Sequence, residues 1–376
     1  MREGARAAPS LTVGLLTPQA VIQILVCEAY RQALPFLAVM VFSDYLRQAL
    51  QEQVVGQEYA VAALTQAVTL AFSGMRDPSQ PLAVLLFLGP TGSGKNRVAQ
   101  ALARVLFGNE RKMIYVNGQQ LSQATDPLSS LHEQLVAGYW QAQAVPPFTP
   151  SACSVVVFEE VDKAPPAFRD NLAAAIDRGD LFTRGCFFSL RQSFVILTIH
   201  LSKKKTDQLI GRTIGFFRDG EADLEMPRQH IIALEEIDHM LNAQLVSRID
   251  EVIIFERLNE QNIITLLERQ LAEIEWLLAG SSVGLMLDQE AKTFLLSHGL
   301  EDLSHGARQI KRAVRNYLEF PLADLILSKR VLPGTTVMVK YETPRNFLNF
   351  QILIPRLVPA HLPLMKPQAL TAEPVE

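Results

Sequence analysis

The spacing of apolar residues changes period several times between residues 42 and 107. Residues 43–52 and about 58–72 alternate apolar and polar positions at helical spacing, joined by the elbow Val54-Val55-Gly56-Gln57. The loop Asp77-Pro78-Ser79-Gln80-Pro81 then breaks the chain before an unbroken apolar run at 82–88. Such a run, followed by Val98, Ala101, Leu102, Val105 and Leu106 at helical spacing, predicts a buried parallel strand entering a helix. Residues 113–116, 154–158 and 194–198 repeat the strand signature. Strands separated by helical stretches predict a doubly wound α/β sheet.

The pattern shifts after Arg248-Ile249-Asp250. A short strand at 252–255 is followed by a strongly periodic helix at 259–278, helices near 288–298 and 306–328, and a strand at 335–341. Four segments are therefore expected: an apolar, helical N-terminal extension at 1–42, a large α/β domain at 43–256, a small, mainly helical domain at 257–345, and a tail at 346–376 holding Pro355, Pro359, Pro363, Pro367 and Pro374. In the extension, Arg2 and Arg6 precede the apolar residues 11–27 as in a secretory leader, but Pro18, Gln19 and Gln23 interrupt that stretch. No apolar run there reaches the ~18–20 residues that span a bilayer. The expectation is a soluble, cytoplasmic protein whose extension is an amphipathic or partner-packing helix.

Composition narrows the partners. With 376 residues and 48% hydrophobic content the chain can bury a sizeable core, while a net charge of −4 argues against a broad nucleic-acid footprint. Cys27, Cys153 and Cys186 are odd in number and far apart, so neither a disulfide framework nor a zinc cluster is expected.

The first candidate chemistry is Gly89-Pro90-Thr91-Gly92-Ser93-Gly94-Lys95-Asn96, which fits G-x-x-x-x-G-K with Asn96 where Ser or Thr is usual. Glycines let backbone N–H groups point at phosphate, the next helix offers its positive end, and Lys95 neutralises the β/γ oxygens. Alone the motif can be a Gly-rich turn; with a strand before it and a helix after it, it predicts ATP binding. Asn96 replaces a hydroxyl that normally coordinates Mg²⁺, so binding should survive better than turnover. The second candidate is Glu159-Glu160, at the end of the strand at 154–158, where ligands sit in open α/β sheets. Glu159 would orient Mg²⁺ through water and Glu160 would act as general base on the attacking water. Glu159 stands where an Asp is usual and is one methylene longer. The bland alternative is a solvated acidic strand end beside Asp162 and Lys163.

Several segments together resemble one family. Val55-Gly56-Gln57, Phe87 through Lys95, the run Val157-Phe158-Glu159-Glu160-Val161-Asp162-Lys163-Ala164-Pro165-Pro166, residues 244–255 and Gly306-Ala307-Arg308 are similar, in order and spacing, to the second AAA+ module of ClpB-type (Clp/Hsp100) disaggregases. The resemblance covers about residues 44–341. It implies a P-loop AAA+ fold with a C-terminal helical lid domain, Val55 lining the adenine pocket and Glu160 as catalytic glutamate. It also implies Arg248 as the arginine finger acting on a neighbour's nucleotide and Arg308 as the lid arginine sensing the γ-phosphate. A guanidinium that reaches the γ-phosphoryl oxygens only on assembly or closure ties turnover to oligomerisation. Otherwise, Arg248 is a surface ion pair with Asp250 or Glu251, and Arg308 belongs to a basic helix with Lys311, Arg312 and Arg315.

Two positions depart further from that family. His200 stands where the polar sensor is Asn, and imidazole has a different proton inventory from an amide. Gly138-Tyr139-Trp140 lies near the region of the aromatic pore loop, but residues 131–144 read as a helix with Tyr139 and Trp140 in its core. The torsin branch of the same superfamily also has Gly-Lys-Asn in its P-loop and a helix in place of that loop, although it lacks the finger that Arg248 supplies here. The expected protein is an ATP- and Mg²⁺-dependent ATPase, slowed by Asn96, Glu159 and His200, that remodels a protein client as a homo-oligomeric ring, expected to be a hexamer, or with another AAA+ chain. The rivals are a scaffold that binds ATP without hydrolysing it, and a DNA-linked ATPase, which the acidic balance disfavours.

Overall fold

The computed structural model describes residues 36–73, 77–141, 154–202, 237, 240–300, 307–342 and 347–353. Two compact units result, one made of Met1–Leu267 with His298–Arg312, the other of Glu268–Ser297 with Ala313–Glu376.

In the first unit, helices α1 (Phe36–Gln53) and α2 (Glu58–Ala71) lead to strand β1 (Ala83–Gly89) and helix α3 (Lys95–Phe107). Strand β2 (Met113–Asn117), helices α4 (Gly118–Gln123) and α5 (Pro127–Gln141), strand β3 (Val155–Glu159) and helix α6 (Pro166–Arg178) follow. A hairpin of β4 (Asp180–Thr183) and β5 (Cys186–Ser189) precedes β6 (Phe194–His200), a short helix α7 (Ala243–Val246) and β7 (Glu251–Ile254). The main sheet is parallel, in the order β2-β3-β6-β1-β7, as a doubly wound sheet requires.

Alternation along the buried strands divides the core into two layers. Val84, Leu86 and Leu88 of β1 join Val156, Phe158, Leu197 and Ile254 on the face that also buries Leu135, Leu172 and Ile176 of α5 and α6. Leu85 and Phe87 join Val157, Ile196 and Phe255 on the opposite face, with Leu46, Leu64, Val98 and Leu102 of α1, α2 and α3. The chain runs outward from β1 to β2 and then back through β3 and β6. Right-handed crossovers therefore place α3 and α5 on opposite faces and leave the phosphate loop at the carboxyl ends of the strands.

Helix α6 stops at Gly179, whose φ of 74° suits a residue without a side chain and whose N–H donates to Ile176 O at 3.3 Å. A Cβ there would lie 2.0 Å from Ser79 O. Gly179→Ala is expected to lower stability by about 1–3 kcal/mol, read as a lower denaturant midpoint with an unchanged m-value.

The chain continues as helix α8 (Glu260–Ala279), strand β8 (Gly284–Leu287), helix α9 (Gln289–Leu300), and helices α10 (Ala307–Val314) and α11 (Phe320–Leu327), joined by a π turn at Arg315–Glu319. Pro321 explains that turn, since its ring lacks an N–H and would collide with the carbonyl four residues back in a regular helix. In the second unit, β9 (Thr336–Glu342) is parallel to β8 and antiparallel to β10 (Phe347–Leu353). Phe294 lies between Tyr317 and Tyr341, at ring-centroid distances of 5.2 and 5.3 Å.

Several boundaries differ from expectation. Strand β10 lies in the stretch assigned to a Pro-containing tail at 346–376, and it is an ordinary sheet strand because Leu348 is buried against its neighbours. Helix α1 begins inside the stretch assigned to an extension at 1–42, and Phe42 is core. Residues 1–35 and 354–376 lie outside the described residues. Among the described residues, no helix is long and apolar enough to cross a membrane.

Candidate functional site

The phosphate loop is built from three glycines with positive φ: 150° at Gly89, 78° at Gly92 and 101° at Gly94. At Gly89 a Cβ would come within 2.5 Å of Phe255 O, so the loop starts where two strand ends almost touch. Gly94 is the N-cap of α3 in the left-handed region, with no side-chain cap, and a Cβ there would meet nothing within 4 Å, so the loop is open at the helix's positive end.

Lys95 is buried, with 4% exposure, and its amine donates to Gly89 O at 2.8 Å and Pro90 O at 2.9 Å. Burial pulls its pKa down to about 7, and Arg308 pushes the same way, against the pull of Glu159 and Glu160. An anion docked in the cleft would supply the counter-charge that the loop carbonyls only partly provide. The cleft is lined by the loop from Gly92 to Asn96 together with Glu159, His200, Arg308 and Lys311. Ala307 N–H donates to Gly92 O at 3.3 Å, which sets the start of α10 against the loop.

The two acids at the end of β3 have different settings. Glu159 accepts at Oε1 from Asn96 Nδ2 at 2.8 Å and at Oε2 from Asn117 Nδ2 at 3.3 Å. Asn96 thus donates one amide proton to the carboxylate and keeps its carbonyl oxygen for another partner. Glu160 follows at φ 53°, its backbone N–H donating to Thr198 Oγ1 at 3.2 Å. Its Oε1 is 3.0 Å from Lys163 Nζ and 2.8 Å from His200 Nδ1, whereas Oε2 is buried without a hydrogen-bond partner among the described residues. A buried, unpartnered carboxylate oxygen is costly unless something polar arrives there.

His200 is shifted down to about 4, chiefly by burial and by the nearby Lys95 charge, although Glu160 pulls the other way. It is neutral near pH 7. The contact then assigns its one proton to Nδ1, donated to Glu160, and leaves Nε2 as an acceptor.

The structure brings together Gly92–Asn96, Glu159, His200 and Arg308 around one cleft, with Glu160 attached through His200. Val55 is half-buried and does not line the cleft. Its neighbour Gln57 does reach the loop: the Gln57 amide donates to Ser93 O at 2.9 Å and Glu256 O at 2.8 Å, and its carbonyl accepts from Glu256 N–H at 3.1 Å. Arg248 also lies outside the cleft, and its ion pair is not with Asp250 or Glu251, the partners of the alternative reading. Its guanidinium engages Asp177, while Asp250 Oδ2 accepts from Val84 N–H at 2.6 Å. Tyr139 and Trp140 lie in the last turn of α5; Tyr139 is core, its hydroxyl donating to Ser189 O at 2.6 Å, and Trp140 is exposed, contrary to its placement in the core. Gly306 and the segment 142–153 are outside the described residues.

Asn117 and Gln57 were not singled out as site residues. Asn117 ends β2 level with Glu159 on β3, a register that only the sheet reveals.

Comparison with known proteins follows the same division. Residues 80–252 match the family model of the AAA domain (Cdc48 subfamily), and residues 258–339 match that of the C-terminal, D2-small domain of ClpB protein. The chaperone protein ClpB of Pseudomonas putida is 30% identical over 303 residues, 79% of this chain and 34% of the relative. ClpB of Aquifex aeolicus is also 30% identical over 303 residues, 79% of this chain and 29% of the relative. ClpC of Staphylococcus aureus, an ATP-dependent Clp protease ATP-binding subunit, is 28% identical over 300 residues, 79% of this chain and 36% of the relative. The chain thus spans about a third of the length of these relatives. With a P-loop AAA domain followed in sequence by a D2-small domain, the chain belongs to the AAA+ ATPases and resembles the C-terminal ATPase module of the Clp chaperones.

Proposed function

We propose that the chain binds ATP with Mg²⁺ in the cleft around Lys95 and hydrolyses it to drive remodelling of a protein client. The observation that carries this reading is the meeting, at the carboxyl ends of β1, β3 and β6, of a buried amine, an acid pair and a neutral imidazole. Lys95 and the first N–H groups of α3 would hold the phosphates. The residues suit a hard, oxygen-seeking cation: Asn96 Oδ1 and the second lone pairs of Glu159 would hold a hydrated Mg²⁺. When bound, the ion would neutralise charge on the phosphoryl oxygens. Glu160 Oε2, buried and without a partner among the described residues, would accept a proton from the attacking water, while His200 and Lys163 fix the other oxygen.

Arg248 and Arg308 complete the reading. Arg308 lines the cleft of its own chain, whereas Arg248 would serve a neighbouring protomer in a ring. Phosphate release per protomer is therefore expected to rise with protein concentration until assembly is complete, as followed by steady-state assay beside light scattering. A protein that ignores ATP, or whose turnover per protomer is independent of concentration, would remove the reading or its trans-acting part, respectively.

A further inference from the structure

Arg248 is held by four contacts. Nε donates to Asp177 Oδ1 at 2.8 Å and Nη2 to Asp177 Oδ2 at 2.5 Å, while Nη1 donates to Gln244 O and, at 3.0 Å, to Ser247 Oγ. We infer that Asp177 is a positioning residue for Arg248: it sets the guanidinium that is presented to the neighbouring protomer's nucleotide. This inference rests on the reading of Arg248 as a trans-acting arginine.

Three observations carry it. First, the contact uses the Nε/Nη2 edge side-on, the fork geometry that fixes both the plane and the direction of a guanidinium. A proton on Nη2 is left over for an outside acceptor. Second, the pair is too wet to matter much for folding, with the Arg248 and Asp177 side chains 27% and 47% exposed, so orientation is its main effect. Third, Asp177 occupies the last turn of α6, the helix that starts just beyond the Val161–Lys163 turn carrying the Glu160 contacts. One rigid helix therefore joins a protomer's own acid pair to the arginine it offers its neighbour, and a displacement at one end is delivered to the other.

The test uses the full chain with Asp177→Asn, which keeps shape but loses charge and replaces one acceptor by a donor facing Nη2. About a tenfold fall in kcat is expected, within the loss that misplacing a catalytic group by an ångström causes, with KM for ATP unchanged. Asp177→Asn should add nothing to Arg248→Ala. Mixing Asp177→Asn protomers with Glu160→Gln protomers should restore part of the turnover, because the second supplies a well-set arginine to the intact site of the first; a purely structural role gives no such rescue.

Wild-type kcat in Asp177→Asn, a further loss on top of Arg248→Ala, or a rise in turnover overturns the inference while leaving the trans-acting arginine in place. Full turnover in Arg248→Ala overturns the arginine reading itself and this inference with it.

Discussion

Glu160→Gln is expected to lower phosphate release by about 10²- to 10⁴-fold, the range that a positioned general base supplies, and to leave ATP binding intact. The substitution keeps the side-chain shape. One amide oxygen can still accept from His200 Nδ1–H, and the backbone N–H stays on Thr198 Oγ1. What disappears is the proton acceptor at the unpartnered Oε2 and the charge that Lys163 balances. The variant should therefore accumulate as an ATP-bound species, measurable as retained nucleotide after gel filtration beside a flat phosphate assay. Equal phosphate release by wild type and variant at every concentration would show that Glu160 is not the base.

Lys95→Met is expected to move two quantities in opposite directions. ATP affinity should fall at least about a hundredfold, because a charge-assisted contact to a buried polyphosphate is lost. The nucleotide-free protein should nevertheless become more stable, because the amine lies buried at 4% exposure with two carbonyls and, among the described residues, no paired carboxylate in contact. Removing it strands neither acceptor: Gly89 O keeps Leu201 N–H at 3.1 Å and Pro90 O keeps Ser93 N–H at 3.4 Å. A gain of about 1–3 kcal/mol corresponds to several degrees in melting temperature for a domain of this size.

The pH dependence has a definite sign. The folded pKa of about 7 lies below the ordinary value of 10.5, so between them the unfolded chain binds the extra proton and stability of the wild type rises with pH. The gap between Lys95→Met and wild type should accordingly be widest below pH 7 and close as pH climbs toward 10.5. A lower melting temperature for the variant at pH 7 would contradict the burial argument.

The parts of the molecule that were legible in sequence are those whose signal is local. The run 82–88, the glycine loop and the helix after it form one contiguous pattern, and the buried strand ending in Glu159-Glu160 is another. Pairings across the chain left no such mark. Asp177 meets Arg248 across 71 positions, Asn117 meets Glu159 across 42, and Gln57 meets Glu256 across 199. Acids adjacent to Arg248 in sequence were the natural guess for its partner, but on a strand start Asp250 instead turns back to cap Val84.

Short elements were lost for other reasons. The hairpin β4–β5 turns on Arg184 at φ 48° and Gly185 at φ 81°, the two positive values of a tight hairpin, where Asn-Gly is the recognisable pair and Arg-Gly is not. Strand β10 stands beside a run of prolines that made its neighbourhood look irregular. His200 was recognisable by its position after the β6 run; that it spends its only proton on Glu160 required the fold.

The placement of β1 between β6 and β7 carries a cost during synthesis. Its seven residues, Ala83–Gly89, are entirely buried and nearly all apolar, yet both partners are encoded much later. Val84 bonds to Asp250 across 166 positions, which a ribosome takes roughly 10–30 s to add. Until β6 is made both edges of this greasy strand are open, and until β7 is made one still is, the kind of template that recruits stray copies. A protein resembling chaperones is thereby expected to need shelter at its own birth, and slowing translation after residue 90 should aggravate its aggregation more than slowing it after residue 260.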